Sequence, residues 1–189
     1  MRPQLLPRRS HSKEMVAGAI REIVFGAGDG AVQNTALIAG MVGARLTVRV
    51  IVIAGLVNAV AGVLAMSMGT YLSSKAERDA LFATAPQAAG TYRTFTPGRD
   101  AVVMAVACAG GALVPLVPFM FGFIEPDQAM RLALIATGLA LFCLGAGKAI
   151  VSRQHVVRSG LEMLLLAAAA GIAGYLLGVA AGAVFGIEA

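Results

Sequence analysis

The chain has 189 residues, of which 58% are hydrophobic and 13% are charged, and its formal net charge is +5. Soluble domains carry about 25% charged residues, so this composition excludes an ordinary soluble enzyme, and the hydrophobicity excludes an intrinsically disordered chain. The two cysteines, Cys108 and Cys143, are too few for a disulfide framework or a four-ligand zinc site. An integral membrane protein is the class that remains.

Five apolar segments predict transmembrane helices, because each approaches or exceeds the ~20 residues that cross ~30 Å of hydrocarbon. The first, Ile23 to Ala44, contains one acidic residue, Asp29, and the fourth ends at Lys148, whose long side chain can reach the interface. Pro115 and Pro118 are expected to kink the third segment. We predict an all-α integral membrane protein with five spans, near residues 20–44, 50–74, 101–124, 129–150 and 160–186.

The distribution of Lys and Arg predicts the orientation of these spans. Twelve of the 15 basic residues flank one side of the membrane. The three exceptions are Arg45, Arg49 and Arg131. Because positively charged segments stay in the cytoplasm, the N-terminus is predicted to be cytoplasmic. We expect a basic cytoplasmic tail at 1–18, a single membrane domain at 19–187 and a linker loop at 75–100. Since the positive charge has this topological role, no nucleic acid partner is expected.

Glycines recur at four-residue spacing in the last span. They are Gly174, Gly178, Gly182 and Gly186. Small residues at this spacing let helices approach closely, so we interpret them as helix-packing residues. Five thin helices enclose little volume, and an aqueous path inside one protomer would be cramped. We therefore expect a homodimer with the path at its interface.

Asp29 is the most informative residue of the first span. A carboxylate at the bilayer centre costs roughly 2.5–3.5 kcal/mol, and such groups usually face a cavity and serve ion or proton movement. The flanking Gly26, Gly28 and Gly30 are expected to loosen the helix and free backbone carbonyls as oxygen ligands. Gln33 lies one turn on, on the same face. We interpret Asp29 as a metal ligand and proton-coupling group with Gln33 beside it; a carboxylate that reaches interfacial water or a neighbouring hydroxyl is the alternative.

The second span has a matching polar face. Asn58, Gly62 and Met66 follow one another at four-residue spacing and therefore share one side of the helix. The Met66 thioether is a soft ligand that favours transition metals over Mg²⁺ or Ca²⁺, although ordinary packing is the alternative for any methionine. We add Asn58 and Met66 to the metal candidates. The sequence has no Ser–His–Asp set, paired carboxylates or HExxH motif, so no enzyme is predicted.

Three motifs resemble those of the vacuolar iron transporter (VIT/CCC) family. The stretch from Arg21 to Gly40 contains G-A-G-D-G, similar to the family's G-x-x-D-G. The stretch from Gly55 to Asp79 begins G-L-V-N-A-V-A-G-V-L-A-M-S-M-G-T-Y-L-S, similar to G-L-x-E-x-x-A-G-x-x-S-M-G-x-G-x-Y-x-S. The stretch from Gly110 to Phe119, G-G-A-L-V-P-L-V-P-F, is similar to G-x-x-x-P-x-x-P-[YF]. The resemblance covers all five spans in order.

This resemblance implies a dimeric five-helix transporter that exports Fe²⁺ or Mn²⁺ from the cytosol in exchange for protons, along a path between the two first helices. The family's essential Asp and Met correspond to Asp29 and Met66, whereas its second-helix Glu falls on Asn58. Many members have an acidic metal-binding domain where this chain has the basic loop 75–100. The acidic remnants there are Glu77 and Asp79. We regard these two as weaker metal candidates. The metal is cargo, so no permanently bound cofactor is implied.

Two alternatives remain open for the function. A non-transporting membrane scaffold or regulatory protein that kept the fold would explain the missing carboxylate at position 58 and the missing acidic domain. A transporter of another small cation or an organic amine is the second. The expected partners are the lipid bilayer, a divalent metal ion and a second copy of the chain. The short chain without a sorting motif fits a bacterial plasma membrane, or a vacuolar membrane if the source is eukaryotic.

Overall fold

A computed structural model describes residues 11–84, 96–121 and 124–186, and these residues form α-helices and no β-strand. The helices are α1 (His11–Gly43), α2 (Val48–Thr84), α3 (Pro97–Leu113), α4 (Val117–Met120), α5 (Pro126–Ser152) and α6 (Val156–Phe185). The all-α prediction is therefore confirmed for this part of the chain. Four predicted spans each coincide with one helix, and the third coincides with α3 and α4 together.

Within the described ranges, three stretches are long and apolar enough to cross a membrane. They are Val48–Ala80, Pro126–Ser152 and Val156–Phe185. The first predicted span is less apolar, because Asp29, Gln33 and Asn34 lie in the middle of α1. The third falls short in length, since α3 has only 17 residues. The structure thus has the apolar helices of a membrane protein, and the first and third predicted spans are the two that do not qualify by apolar length.

The third predicted span is broken near its prolines. The Val114 N–H donates to the Gly111 carbonyl oxygen at 3.2 Å, three residues back instead of four. The Leu116 N–H likewise donates to the Leu113 carbonyl oxygen at 3.0 Å. Pro115 has no N–H to donate, so the α-helical pattern cannot continue through it. The predicted kink is therefore a complete break, after which the one-turn α4 follows.

α1 and α2 extend furthest beyond their predicted limits. α2 has 37 residues, which at 1.5 Å per residue gives about 55 Å, well beyond the ~30 Å of hydrocarbon. Residues 75–84 of the predicted loop continue α2, and α3 begins at Pro97; residues 85–95 lie outside the described residues. α1 begins at His11, inside the predicted tail, whose residues 1–10 also lie outside them.

α1 is the central helix of the bundle. It packs against α3, α5 and α6, whereas α2 packs mainly on α3. The closest approach is between α1 and α6, where a Cβ added to Gly174 would overlap the backbone of Ala36. A Cβ added to Gly178 would overlap the backbone of Gly40, and one added to Gly182 would lie 3.5 Å from the Cα of Ala44, the residue after α1. Gly174 and Gly178 therefore lie directly against α1, whereas Gly186 follows the end of α6, where an added Cβ would meet no described atom within 4 Å.

The main apolar cluster lies at the end of the bundle where α1 passes into α2. Its largest fully buried members come from α1, α2 and the α3–α4 region. They are Ile38, Ile51, Leu116 and Phe119. Two of these four side chains come from the segment at the helix break, so the break is part of the packed core.

Candidate functional site

Asp29 and Gln33 lie one turn apart on an exposed side of α1, which we call the open face. α6 approaches on one side of this face, where a Cβ added to Gly28 would lie 3.1 Å from Met163 Cε. α2 approaches on the other side, where a Cβ added to Gly62 would lie 3.0 Å from Gln33 Oε1. The open face is therefore the floor of a groove between α2 and α6, with one carboxylate and one amide in it.

The polar residues that follow Gln33 point away from this groove. Asn34 is fully buried toward α3, where its Nδ2 donates to the Ala112 carbonyl oxygen at 2.7 Å. Thr35 is buried toward α5, with its Oγ1 3.4 Å from Oγ1 of Thr137. Successive helix residues point about 100° apart, because 3.6 residues complete one turn. Only Gln33 of these three is available to a ligand on the open face.

The glycines around Asp29 pack α1 against its neighbours. A Cβ added to Gly30 would overlap the Cys108 carbonyl group. One added to Gly26 would lie 2.8 Å from Met104 Sδ. α1 is a continuous α-helix through this segment, so the prediction that the glycines loosen it and free backbone carbonyls is wrong. Close helix packing accounts for these glycines, and side chains are the oxygen ligands available near Asp29.

Asn58 belongs to a chain of hydrogen bonds that joins three helices. Its Nδ2 donates to Asn34 Oδ1 at 3.2 Å, and Asn34 Nδ2 donates in turn to the Ala112 carbonyl oxygen. The direction of both bonds is fixed, because a carbonyl oxygen can only accept. The Ala112 carbonyl lies in the last turn of α3, where helical partners run out. Asn58 therefore holds α2 against α1, and only its Oδ1 is left for a ligand.

Met66 lies at the level of Asp29 by register. The Asn58–Asn34 hydrogen bond and the approach of Gly62 to Gln33 show that α2 runs antiparallel to α1. Two turns beyond Asn58 on the same face, the half-buried Met66 is level with the segment just before Asp29. Helix side chains lean toward the N-terminus of their own helix, so the Met66 side chain leans toward the level of Asp29.

The acidic residues Glu77 and Asp79 lie far from this groove. Both are exposed on the part of α2 that extends past the apolar stretch, and Asp79 Oδ1 lies 3.5 Å from Arg78 Nε. Glu77 is about 16 Å along the helix from Met66, at 1.5 Å per residue. The structure does not bring these two carboxylates to Asp29.

A cavity of ≈ 950 Å³ lies beside Asp29, between α1, α5 and α6. Four charged side chains line it: Arg21, Asp29, Lys148 and Glu162. The sequence had indicated Lys148 only as the polar end of a span. In the part of the chain that the structure describes, no three His, Cys, Asp or Glu side chains come together as metal ligands. Within the described residues of one protomer, Asp29 therefore does not belong to a cluster of three such ligands.

Comparison with known families decides the classification. The VIT family model matches residues 20–94 and 86–179, which include nearly the whole helical bundle. The chain belongs to the VIT family. The matched ranges include Asp29, Asn58 and Met66, the three positions that carried the resemblance in the first two helices. The recognition from sequence motifs is confirmed.

Several relatives of this VIT family chain have the same family name. It is 32% identical over 157 residues to vacuolar iron transporter homolog 1 of Oryza sativa subsp. japonica, an alignment that covers 77% of this chain and 66% of the relative, just under two thirds. It is 28% identical over 152 residues to vacuolar iron transporter homolog 4 of Arabidopsis thaliana, covering 77% and 75%. It is 24% identical over 225 positions to vacuolar iron transporter 1 of Eucalyptus grandis, covering 91% and 90%.

Asn34 is the site residue of this VIT family chain that sequence reasoning left without a role. Two signals in the sequence point to it. Gln33, Asn34 and Thr35 are consecutive, so they cannot all face one path. Pro115 predicts a carbonyl without a helical partner nearby, and such a group needs a side-chain donor when it is buried.

Proposed function

We propose that this VIT family protein is a homodimeric transporter that moves Fe²⁺ or Mn²⁺ out of the cytosol in exchange for protons. One observation carries the proposal: Asp29 is exposed on the open face of α1, in a bundle of apolar helices. The names of the relatives, vacuolar iron transporter homologs, support iron as a cargo. The membrane is a bacterial plasma membrane or, in a eukaryotic cell, the vacuolar membrane.

The exposure of Asp29 argues for a second copy of the chain. Facing lipid, this carboxylate would cost up to about 2.5–3.5 kcal/mol. A twofold axis beside the open face would cover it with the same face of a partner, since a twofold interface joins identical patches. Two copies of Asp29 then supply two negative charges, which balance one divalent ion. Dimerisation and metal binding are in this way two parts of one proposal.

The proposed ligands come from both sides of the groove. Asp29 supplies the charge, Gln33 an amide oxygen and Met66 a soft thioether. Asn58 contributes at most its Oδ1, because its Nδ2 donates to Asn34. This mixed set suits Fe²⁺ and Mn²⁺ better than Ca²⁺ or Mg²⁺, which prefer oxygen alone.

Proton coupling follows from the same carboxylate. A protonated carboxylate is a poor metal ligand, so a proton that reaches Asp29 from the far side displaces the ion, and loss of that proton restores the site. The direction of transport rests on the charge distribution, which predicts a cytoplasmic N-terminus. In this topology α1 and the α3–α4 pair are the first and third of five spans.

Metal uptake into proteoliposomes with an imposed pH gradient tests the proposal. We expect the unaltered protein to take up Fe²⁺ and Mn²⁺ at a rate that rises with the gradient, and Asp29→Asn to reduce uptake to that of empty vesicles. Asp127→Asn is the matched control, because Asp127 is exposed in the first turn of α5. It should transport like the unaltered chain.

The same assay separates the alternatives. A membrane scaffold would give no uptake with any ion, and transport by Asp29→Asn near that of the unaltered chain would overturn the mechanism. A carrier of another small cation would show little inhibition by Fe²⁺ and Mn²⁺ in competition. One observation favours the scaffold alternative. Asn58 stands where the resemblance implies a carboxylate, and its Nδ2 is used in a hydrogen bond that joins two helices.

A further inference from the structure

The cavity between α1, α5 and α6 contains charged side chains from three helices. Arg21 and Asp29 come from α1, Lys148 from α5 and Glu162 from α6. The rest of the lining is mostly apolar. All four side chains are exposed in the single protomer, so solvent partly screens their interactions, and the way in which they are paired decides what the cavity can bind.

Two of these four charges are already compensated. Arg21 Nη2 lies 2.8 Å from Oε1 of its buried neighbour Glu22. Glu162 Oε1 lies 3.2 Å from Arg158 Nε, one turn away on α6. Among the residues that the structure describes, neither Lys148 nor Asp29 has an ion-pair partner within 4 Å. One cation and one anion of the cavity therefore remain uncompensated.

The helix contacts place Lys148 level with the first turn of α6, on the N-terminal side of the level of Asp29. Gly145 of α5 packs on Ser159, and Gly28 of α1 packs on Met163, which is one turn further along α6. Lys148 is three residues beyond Gly145 in the opposite direction. It is therefore about seven residues, or ~10 Å along the axis, from the level of Gly28, the neighbour of Asp29. The flexible four-carbon stem of lysine lets its ammonium group move over much of this distance.

We propose that Lys148 is a specificity-determining residue that acts as a tethered counter-ion for Asp29. Its ammonium group compensates the carboxylate when no metal is present and moves away when a divalent ion binds. This inference rests on the proposed metal transport. The electrostatic attraction between a monovalent ion and one carboxylate is too weak to displace the ammonium group, whereas a divalent ion is attracted more strongly. The same competition weakens metal binding enough for release.

Metal affinity and transport of Lys148 variants test this role. We expect Lys148→Gln to bind Mn²⁺ about tenfold more tightly, which corresponds to ~1.4 kcal/mol, and to turn over more slowly at saturating Mn²⁺. Na⁺ should compete with Mn²⁺ in this variant and not in the unaltered chain. Lys148→Arg keeps the charge and should retain the affinity. Lys75→Gln, the same substitution at an exposed site outside the cavity, is the control. A variant that is merely misfolded would lose affinity, so unchanged or weaker binding by Lys148→Gln overturns the proposal.

A metal-free measurement separates this inference from the proposed function. In detergent with a chelator, thermal unfolding is compared for Lys148→Gln, Asp29→Asn and the double variant. If the two groups compensate each other, the second substitution lowers the unfolding temperature less than the first one does. The effect of the double variant is then smaller than the sum of the two single effects. Additive effects would overturn the pairing even if the protein transports metal. Failure of the unaltered protein to bind Fe²⁺ or Mn²⁺ would remove the proposed function, while non-additive unfolding would still establish the pair.

Discussion

Asn34 is the residue on which the contacts of α1, α2 and α3 depend most directly. Leucine at this position has a similar volume, so Asn34→Leu removes hydrogen bonds without opening a large cavity. It leaves the Ala112 carbonyl oxygen without its 2.7 Å donor and Asn58 Nδ2 without its 3.2 Å acceptor. Interhelical hydrogen bonds in membrane proteins contribute ~0.6 kcal/mol on average and up to ~1.7 kcal/mol. Two of them give an expected destabilisation of about 1–3 kcal/mol.

Reversible unfolding in mixed micelles, followed by circular dichroism, measures this change. Gln33→Leu is the matched control, since Gln33 is adjacent in sequence and exposed, and it should alter the free energy of unfolding by less than about 0.5 kcal/mol. If Asn34→Leu is no more destabilising than Gln33→Leu, the hydrogen-bond chain does not hold the three helices together. The assignment of Asn58 as a structural residue would then fail with it.

Two further predictions concern packing and selectivity. Gly178→Ala should destabilise the bundle by about 1–3 kcal/mol, because its Cβ would overlap the Gly40 backbone. The control Gly147→Ala has open space around it and should be neutral or slightly stabilising in the same unfolding assay. Equal effects of the two substitutions would contradict the close approach of α1 and α6. Met66→Leu should lower Fe²⁺ transport more than Mn²⁺ transport in proteoliposomes, since the thioether is the soft ligand of the site, and equal losses for both ions would exclude that role.

Helix positions follow from the sequence because they depend on apolar length, which is a local property. The four-residue glycine spacing of α6 likewise indicates the face that packs, since small side chains let backbones approach wherever they line up. The partner of that face is not local: nothing in Gly174 or Gly178 specifies α1 instead of another helix. Pro115 indicates where α3 is disrupted, but a kink and a full break have the same sequence signal.

The polar residues are harder to assign for the same reason. A one-letter pattern places Asp29 and Gln33 on one face, but it cannot show that Asn58 is level with Asn34 and shares a hydrogen bond with it. Lys148 and Asp29 are 119 positions apart in the chain, and only the folding of three helices around one cavity brings them together. Glycines beside a carboxylate can either loosen their helix or let a neighbouring helix pack closely against it. Which of the two occurs depends on the position of that neighbouring helix, which the local sequence does not specify.

The length of α2 gives it two side-chain ties to its neighbours, one on each side of Met66. Asn58 is bonded to α1, eight residues before Met66, and the buried Ser74, eight residues after Met66, donates from its Oγ to Asp100 Oδ2 of α3 at 3.2 Å. At 1.5 Å per residue each tie lies ~12 Å from Met66, and Thr84 projects ~15 Å beyond the second. A force applied to the projecting end of α2 would therefore be taken up by α3 at Ser74 before it reached the thioether.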